Sequence, residues 1–190
     1  LMHGAGTTGG GGAVTGAARV KRTGQSTPAF NFWSSPVAGA NAAIIGAQRY
    51  SYNPNLGTQS TADDANEPGW VAATGTMNAG QGYASSAGGT VTFVGNVNNG
   101  AIANPVISAA LPNSKFNLVG NPYPSAISAN AFLAANGPSG SNTITGSIYF
   151  WDDDNSGGSG YAISDYAVWN GAGSVGGGGN TPNGNIGSGQ

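Results

Sequence analysis

Short apolar runs separated by turn-forming residues constrain the fold of this chain more than any other feature. The clearest run is GGTVTFVGN at residues 88–96, where Val91 and Phe93 alternate with Thr90 and Thr92. Strict alternation is typical of a half-buried strand, and β-branched and aromatic residues favour strands. Comparable runs predict strands near residues 17–23, 29–34, 47–52, 69–73, 82–86, 89–94, 115–119, 146–151 and 165–170.

One segment has helical character. In SAISANAFLAAN at residues 125–136, Ser128 is placed to cap a helix of about two turns, and Asn136-Gly137-Pro138 is placed to end it. The sequence therefore predicts an all-β fold of the β-sandwich or jelly-roll-like kind, with one short helix.

A block of sequence occurs twice. FNFWSSPV at residues 30–37 resembles FNLVGNPYPS at residues 116–125, and an aromatic strand and a Trp-containing strand follow each block. Pro36 and Pro122 are then expected to end equivalent strands, because proline cannot donate to a strand ladder. The order of features predicts two related halves, about 17–112 and 113–190, after a glycine-rich lead-in at residues 1–16. Chance similarity in a biased composition is the alternative.

The first half continues past Gln81 into a pair of strands, whereas the sequence stops at Gln190. If the halves correspond, either the module is truncated at its C-terminus or another chain supplies the strands. An unpaired sheet edge invites strand addition. We therefore expect an edge near residues 165–190 to pair with another copy or with another segment of a parent protein.

The composition excludes several classes of protein. Only 6% of the residues are charged, against about 25% in an average domain, and the net charge of −2 gives no field that gathers nucleic acid. There is no cysteine and no apolar run long enough to span a membrane. The small basic cluster Arg19, Lys21 and Arg22 is interpreted as a solvated strand face.

Four segments together resemble a β-rich module of large secreted surface proteins of Bacteroidota: FNLVGNPYPSAI, GSIYFWDDD, DYAVWNGAG and TPNGNIGSGQ. FNFWSSPV and GTMNAGQGYASS resemble the earlier half of that module, so the resemblance covers roughly residues 17 to 190. It implies export to the cell surface or beyond, by proteins that commonly carry a type IX secretion signal. It does not imply one activity, because such modules occur in adhesin-like and enzyme-bearing proteins alike.

The acidic segment WDDDNSGGSGY at residues 151–161 predicts a Ca²⁺ site. Its oxygen-bearing residues lie on a glycine-rich turn, and Ca²⁺ takes about six to eight oxygen ligands. Alternate residues such as Asp152, Asp154 and Ser156 would face one ion, and a distant carboxylate such as Asp165 would complete it. The candidate ligands are Asp152, Asp153, Asp154, Asn155, Ser156 and Asp165. A solvated hairpin loop is the alternative, because these residue types also form ordinary turns. A second acidic segment, residues 63–67, is interpreted as a loop, with a cation site as the alternative.

Trp and Tyr residues allow a second kind of site. The candidates are Trp33, Tyr50, Tyr52, Trp70, Tyr149, Trp151, Tyr161, Tyr166 and Trp169. Most of these side chains are expected to fill the core of the β-sandwich. Trp70 and Trp151 lie beside polar loops and are the predicted ligand-binding residues, since exposed indole rings stack on sugar faces.

Taken together, these patterns predict a non-enzymatic, extracellular structural or adhesive module of a bacterial surface protein. The alternative is a carbohydrate-binding module that uses exposed Trp and Tyr. An enzyme fragment is the third hypothesis. No catalytic motif supports it. His3 is the only histidine, and it lies in the glycine-rich lead-in, where a Ser-His-Asp triad has no clear place. A glycosidase needs two carboxylates, but a pair such as Asp64 with Asp154 has no sequence support beyond the presence of both residues.

The calcium hypothesis predicts that chelation lowers the melting temperature. An ion that binds only the folded state stabilises it by about 2.7 kcal/mol at a free concentration of about 100 times Kd. Replacing Asp152 and Asp154 by alanine should abolish the difference between calcium and chelator in a thermal unfolding experiment. The matched control replaces Asp63 and Asp64, which should leave that difference intact. An equal melting temperature of the unaltered protein in calcium and in chelator would contradict the site.

Overall fold

The computed structural model describes residues 16–24, 30–57, 68–86, 88–108, 116–151, 166–175 and 185–186. Within these residues the chain consists of short strands in antiparallel sheets and one α-helix. The predicted all-β fold with one short helix is confirmed. Among the described helices, none is long and apolar enough to cross a membrane.

The strands are β1 (Ala18–Gly24), β2 (Asn31–Trp33), β3 (Arg49–Tyr52), β4 (Trp70–Ala72), β5 (Tyr83–Ser85), β6 (Gly89–Gly95), β7 (Ile127–Ser128), β8 (Ile148–Trp151), β9 (Tyr166–Trp169), β10 (Ser174–Val175) and β11 (Asn185–Ile186). The helix α1 spans Ala129–Asn136, and a short 3₁₀ helix spans Ala42–Ile45. The described residues divide into two compact units, one made of residues before 127 and one of residues 127–186.

Eight of the predicted strands occur where the short apolar runs placed them, but residues 116–119 of the ninth do not form a strand. Its described part makes a single bridge, between Val119 and Gln81, flanked by backbone hydrogen bonds from Gly82 to Leu118 and from Gly120 to Gly80. On the neighbouring stretch, the side-chain amide of Asn117 binds both the N–H and the C=O of Ile107. A side chain therefore satisfies backbone groups that a strand ladder would otherwise pair.

The core of the first unit lies between two sheets. One is the ribbon β1–β6, and the other is a four-stranded sheet of order β2-β5-β3-β4. Trp33 and Tyr83 come from the four-stranded sheet, whereas Val91 and Phe93 come from the ribbon. The connecting segments complete this core with Val37, Ala40, Ala42, Ile45, Ala73 and Met77. A buried hydrogen bond crosses from β2 to β5, where the Trp33 indole Nε1 donates to the Ser85 hydroxyl at 2.9 Å.

The basic cluster of β1 does not form one solvated face. Arg19 and Lys21 are exposed as predicted, but Arg22 is half-buried opposite Val91, on the same side of the ribbon as Val20. Its Nη2 donates to the carbonyl oxygen of Pro124 at 2.9 Å. The prediction was wrong for Arg22 because successive side chains of a strand point to opposite faces.

The two repeated blocks meet in the first unit. Gly120 lies so close to Ser34, its counterpart in the first block, that a Cβ at position 120 would collide with the Ser34 side chain. The Asn98 amide Nδ2 donates to Ser35 O and to Pro122 O, each at 2.9 Å. One buried contact and one side-chain amide therefore hold the two proline turns together. The division of the chain into related halves stays a prediction.

The second unit is built around α1 and the sheet β10-β9-β8. Ser128 caps the helix as predicted, with its hydroxyl oxygen accepting from Ala131 N at 3.2 Å, and the Gly137 N–H closes the helix on Leu133 O. The indole Nε1 of Trp169 donates to Asn130 Oδ1 at 2.8 Å and so connects β9 to the helix. β11 pairs with β7. Pairing of an edge near residues 165–190 with another chain stays a prediction.

The core architecture predicts a sharp contrast between two neighbours on β6. Phe93 is fully buried and Val94 is 50% exposed. Phe93→Ala should lower the free energy of unfolding by about 3–5 kcal/mol, because it removes buried apolar surface and leaves a cavity. Val94→Ala should change it by about 0.5 kcal/mol or less. Urea titration measures both, and equal losses would contradict the packing of the ribbon on the four-stranded sheet.

Candidate functional site

The outer face of the four-stranded sheet carries a cluster of aromatic side chains, here called the aromatic face. It arises from alternation: in RYSY and in NFW every second side chain points away from the core. Pairing puts Phe32 opposite Ala84, Ala84 beside Tyr50, and Tyr50 opposite Ala72 in one row across the sheet. The aromatic face comprises Phe30, Phe32, Tyr50, Tyr52 and Trp70.

The rings of the aromatic face contact one another. Trp70 is the centre: its ring centroid lies 5.2 Å from that of Tyr52, edge to face, and 6.1 Å from that of Phe32. The rings of Phe30 and Tyr50 are 6.1 Å apart. These separations lie in the range where aromatic pairs attract each other beyond simple area burial. The cluster therefore holds its rings in defined positions.

The burial of the aromatic face differs from that of the core face. Trp33 and Tyr83, on the inner side, are 3% and 4% exposed, whereas the five outer rings are half-buried. Ala84 lies beneath the outer rings and is 2% exposed. A small residue at this position lets the rings close over the sheet, and Ala72, at the end of the same row, is exposed. Each outer ring thus keeps part of its surface available for contact.

A groove with a volume of about 140 Å³ adjoins the aromatic face and shares Tyr52 with it. Its apolar lining includes Pro54, Pro105 and Ile107, and the repeated block contributes Leu118 and Val119. Amide side chains line the rest of the groove: Gln81, Asn104 and Asn117. The lining is more polar than apolar, and the groove is smaller than the roughly 300–1,000 Å³ of a typical small-molecule site, so it would hold only one part of a larger ligand.

The amides of the groove are held to different degrees. Asn117 uses both of its polar atoms on the backbone of Ile107. Gln81 Oε1 accepts from Asn78 Nδ2 at 2.9 Å and from the Tyr83 hydroxyl at 3.2 Å. These bonds fix the orientation of Gln81, so that its amide nitrogen is the part that can donate to a ligand. The groove therefore offers a positioned donor beside the rings.

Burial shifts the pKa values of two side chains in the first unit, Tyr83 and Arg22. Desolvation raises the pKa of the Tyr83 hydroxyl, and the hydrogen bond from Asn78 N, 2.8 Å long, opposes part of that rise. Desolvation also lowers the pKa of the Arg22 guanidinium. Both changes follow from structural burial, and neither group lies on the aromatic face.

The two predicted ligand-binding tryptophans have different surroundings. Trp70 lies at the centre of the aromatic face. Trp151 belongs to the second unit, where its ring meets that of Tyr166 edge to face at 5.1 Å. Both are half-buried. Trp70 belongs to a cluster of described rings with an adjoining groove, whereas the described ring contact of Trp151 is the one with Tyr166.

The predicted calcium ligands lie outside the described residues. Asp152, Asp153, Asp154, Asn155, Ser156 and Asp165 all belong to the segment that connects β8 to β9. In the part of the chain that the structure describes, no group of His, Cys, Asp or Glu side chains could hold a metal. Calcium binding stays a prediction, as does the expectation that the chain is not an enzyme.

Sequence reasoning found Trp70 but missed the aromatic face and the groove. The signal for the face was present, because Phe30 and Phe32 alternate with Asn31 and Trp33, and Tyr50 alternates with Tyr52 across Ser51. Alternation alone does not tell which of the two faces is inside. The groove had no signal, since its walls come from residues 52–54, 81, 104–107 and 117–119.

The sequence matches the model of one protein family, described as a domain of unknown function (DUF8693), over residues 10–190. No curated protein and no solved structure matches the chain.

Burial of the Tyr83 hydroxyl predicts a loss of stability in alkali. Its pKa in the folded state is raised above the unfolded value of about 10. The corresponding stability is therefore fully present below pH ~10 and is lost as the pH rises through the folded pKa. Tyr83→Phe should flatten the alkaline fall of the unfolding free energy.

The same substitution should cost about 1–3 kcal/mol at neutral pH, because the backbone N–H of Asn78 loses its acceptor. The double variant with Tyr123→Phe should flatten the alkaline fall further, since burial also raises the pKa of Tyr123. Denaturant titrations from pH 7 to pH ~11 measure these effects. An unchanged alkaline slope in Tyr83→Phe would contradict the assignment.

Proposed function

The chain belongs to the DUF8693 family, a domain of unknown function, and we propose that it is a non-enzymatic adhesive module of an extracellular surface protein. The aromatic face carries this proposal. Its five rings are half-buried and keep part of their surface accessible, and Trp and Tyr are enriched among the residues that carry most of the binding energy at interaction sites. The extracellular setting rests on the resemblance to secreted surface modules of Bacteroidota.

The arrangement of the rings suits adhesion. Trp70 touches both Tyr52 and Phe32, so a ligand that contacts Trp70 also meets its neighbours. Rings already fixed by mutual contact lose little conformational entropy on binding. The chain has few charges, 6% of its residues, so apolar and hydrogen-bonding contacts would dominate the interaction.

Carbohydrate binding is the second candidate function. A pyranose presents an apolar C–H face, which stacks on an aromatic ring, and a rim of hydroxyl groups that need hydrogen-bonding partners. The aromatic face offers the rings, and the groove that shares Tyr52 offers the amides of Gln81 and Asn104. A chain of sugar units on Trp70 and Tyr52 would reach these amides through the groove.

Glycan binding predicts a loss on changing Trp70. The unaltered protein is applied to a panel of immobilised neutral and acidic glycans to identify those that it binds. For these glycans, Trp70→Ala should raise the Kd by about thirtyfold or more, because truncating a hot-spot residue costs about 2 kcal/mol or more. Ala72→Glu is a second variant that removes no ring. It places a charge at the exposed end of the row that contains Tyr50 and should also weaken binding.

Matched controls separate this face from other exposed aromatics. Tyr149→Ala changes a ring that is 49% exposed in the second unit, and it should leave binding unchanged, whereas Trp151→Ala tests the other predicted ligand residue. Unfolding curves identify variants that have lost their fold. Glycan binding that survives both Trp70→Ala and Ala72→Glu would contradict a carbohydrate site on this face.

The adhesive role is tested separately with beads that display the protein on surfaces coated with glycans or with extracellular proteins. Attachment that Ala72→Glu reduces supports adhesion through the aromatic face. Attachment to proteins alone would leave adhesion in place and contradict the carbohydrate candidate. Attachment that neither Ala72→Glu nor Trp70→Ala changes would contradict the proposed surface.

A further inference from the structure

Asn-Gly pairs occur at 99–100, 136–137 and 170–171 among the described residues, and a further pair, 183–184, lies outside them. Such pairs can lose the side-chain amide without an enzyme, because the backbone nitrogen of glycine can attack the neighbouring Asn carbonyl carbon. Asn is a thermolabile residue for this reason. We propose that Asn99 is a modification site, at which the folded protein deamidates in preference to Asn136 and Asn170.

The geometry at Asn99 is close to that of the reaction. The N–H of Gly100 donates to Oδ1 of Asn99 at 2.8 Å. With a C=O bond of about 1.2 Å, the carbonyl carbon Cγ therefore lies within about 4 Å of the attacking nitrogen. Reacting atoms become productive at about 3–3.5 Å, so only a small movement is needed. Both residues are exposed, and Gly100, with φ +72°, puts no side chain beside the reacting atoms.

The reaction balances without an oxidant or a cofactor. A bond forms between Gly100 N and Asn99 Cγ, and the bond from Cγ to the amide nitrogen breaks. That nitrogen leaves as ammonia, taking the proton that Gly100 N loses. Water then opens the five-membered succinimide at either carbonyl, which gives aspartate or isoaspartate at position 99.

The structure holds Asn136 away from this reaction. Its Nδ2 donates to Phe132 O at 2.9 Å within the helix. The attacking group is also engaged, because the Gly137 N–H donates to Leu133 O at 2.8 Å as the end of α1. Attack would have to break both hydrogen bonds, and with them the end of the helix.

Asn170 shows that exposure alone does not select the site. It is exposed, like Asn99, yet its Oδ1 accepts from Ala172 N and from Gly173 N, each at 3.0 Å. This turn directs the side-chain carbonyl past Gly171 to the two residues beyond it. Among the described residues, the Asn99 side chain makes one hydrogen bond, which it accepts from the attacking nitrogen itself.

Modification at position 99 would act on the connection between the repeated blocks. Asn98 binds Ser35 O and Pro122 O, and the Tyr123 hydroxyl donates to Gly100 O at 2.6 Å. Both neighbours of Asn99 are therefore anchored. Isoaspartate would insert an extra methylene into the backbone between these anchors and add a negative charge, so the aged protein is expected to unfold more easily.

Incubation of the folded protein at mildly alkaline pH, followed by peptide mapping with mass spectrometry and enzymatic labelling of isoaspartate, tests this inference. Asn99 should lose its amide several-fold faster than Asn136 and Asn170. In urea, where the hydrogen bonds that hold Asn136 and Asn170 are gone, the three rates should converge. Asn99→Gln should remove the fast conversion and leave the rates at Asn136 and Asn170 unchanged.

Two results would overturn the proposal. One is conversion of Asn136 or Asn170 in the folded protein at the rate of Asn99 or faster. The other is deamidation in urea that stays fast at Asn99 and slow at Asn136 and Asn170. The preference for Asn99 would then come from the local sequence and not from the fold.

Discussion

The pairing of residues 80–85 with both repeated blocks is the constraint on which the rest of the first unit depends. At 83–85 this segment is β5, hydrogen-bonded to β2 and to β3. Just before, residues 80–82 bind residues 118–120 of the second block. One short stretch thus fixes where each Phe-Asn block lies. It also turns Tyr83 into the core and leaves Ala84 as the floor of the aromatic face.

Polar side chains complete what these short strands leave unpaired. The Asn98 amide joins the backbones of the two proline turns, and the Asn117 amide takes both backbone groups of Ile107. Strands of three or four residues contribute few ladder bonds, and these amide side chains pair with backbone groups that the ladders leave open. This gives a physical reason for a chain rich in Asn and poor in charge. The same amides line the groove beside the aromatic face.

The aromatic face and its support are two sides of one sheet. Trp33 and Tyr83 fill the core on one side, and Phe32, Tyr50 and Trp70 form the binding candidate on the other. A ligand on the outer rings would therefore rest on strands whose positions the core fixes. Binding surfaces placed on strands are held more precisely than those on loops. In the proposed adhesive role, the packing of the core would keep the aromatic face rigid.

The sequence by itself determined where eight of the eleven described strands and the helix form, but it did not indicate β7, β10 or β11. Short apolar runs bounded by turn residues located these strands to within a few residues, and Ser128 and Gly137 marked the two ends of α1. It also placed Trp70 beside a polar segment, but it did not reveal the rings that surround it. The tertiary structure decided which face of each strand is inside, so that Arg22 points inward while Phe32 points outward. It also decided that Tyr52, Gln81 and Asn104 share one groove. These outcomes depend on pairings between segments distant in sequence, in which a slip of one residue would turn every side chain to the opposite face.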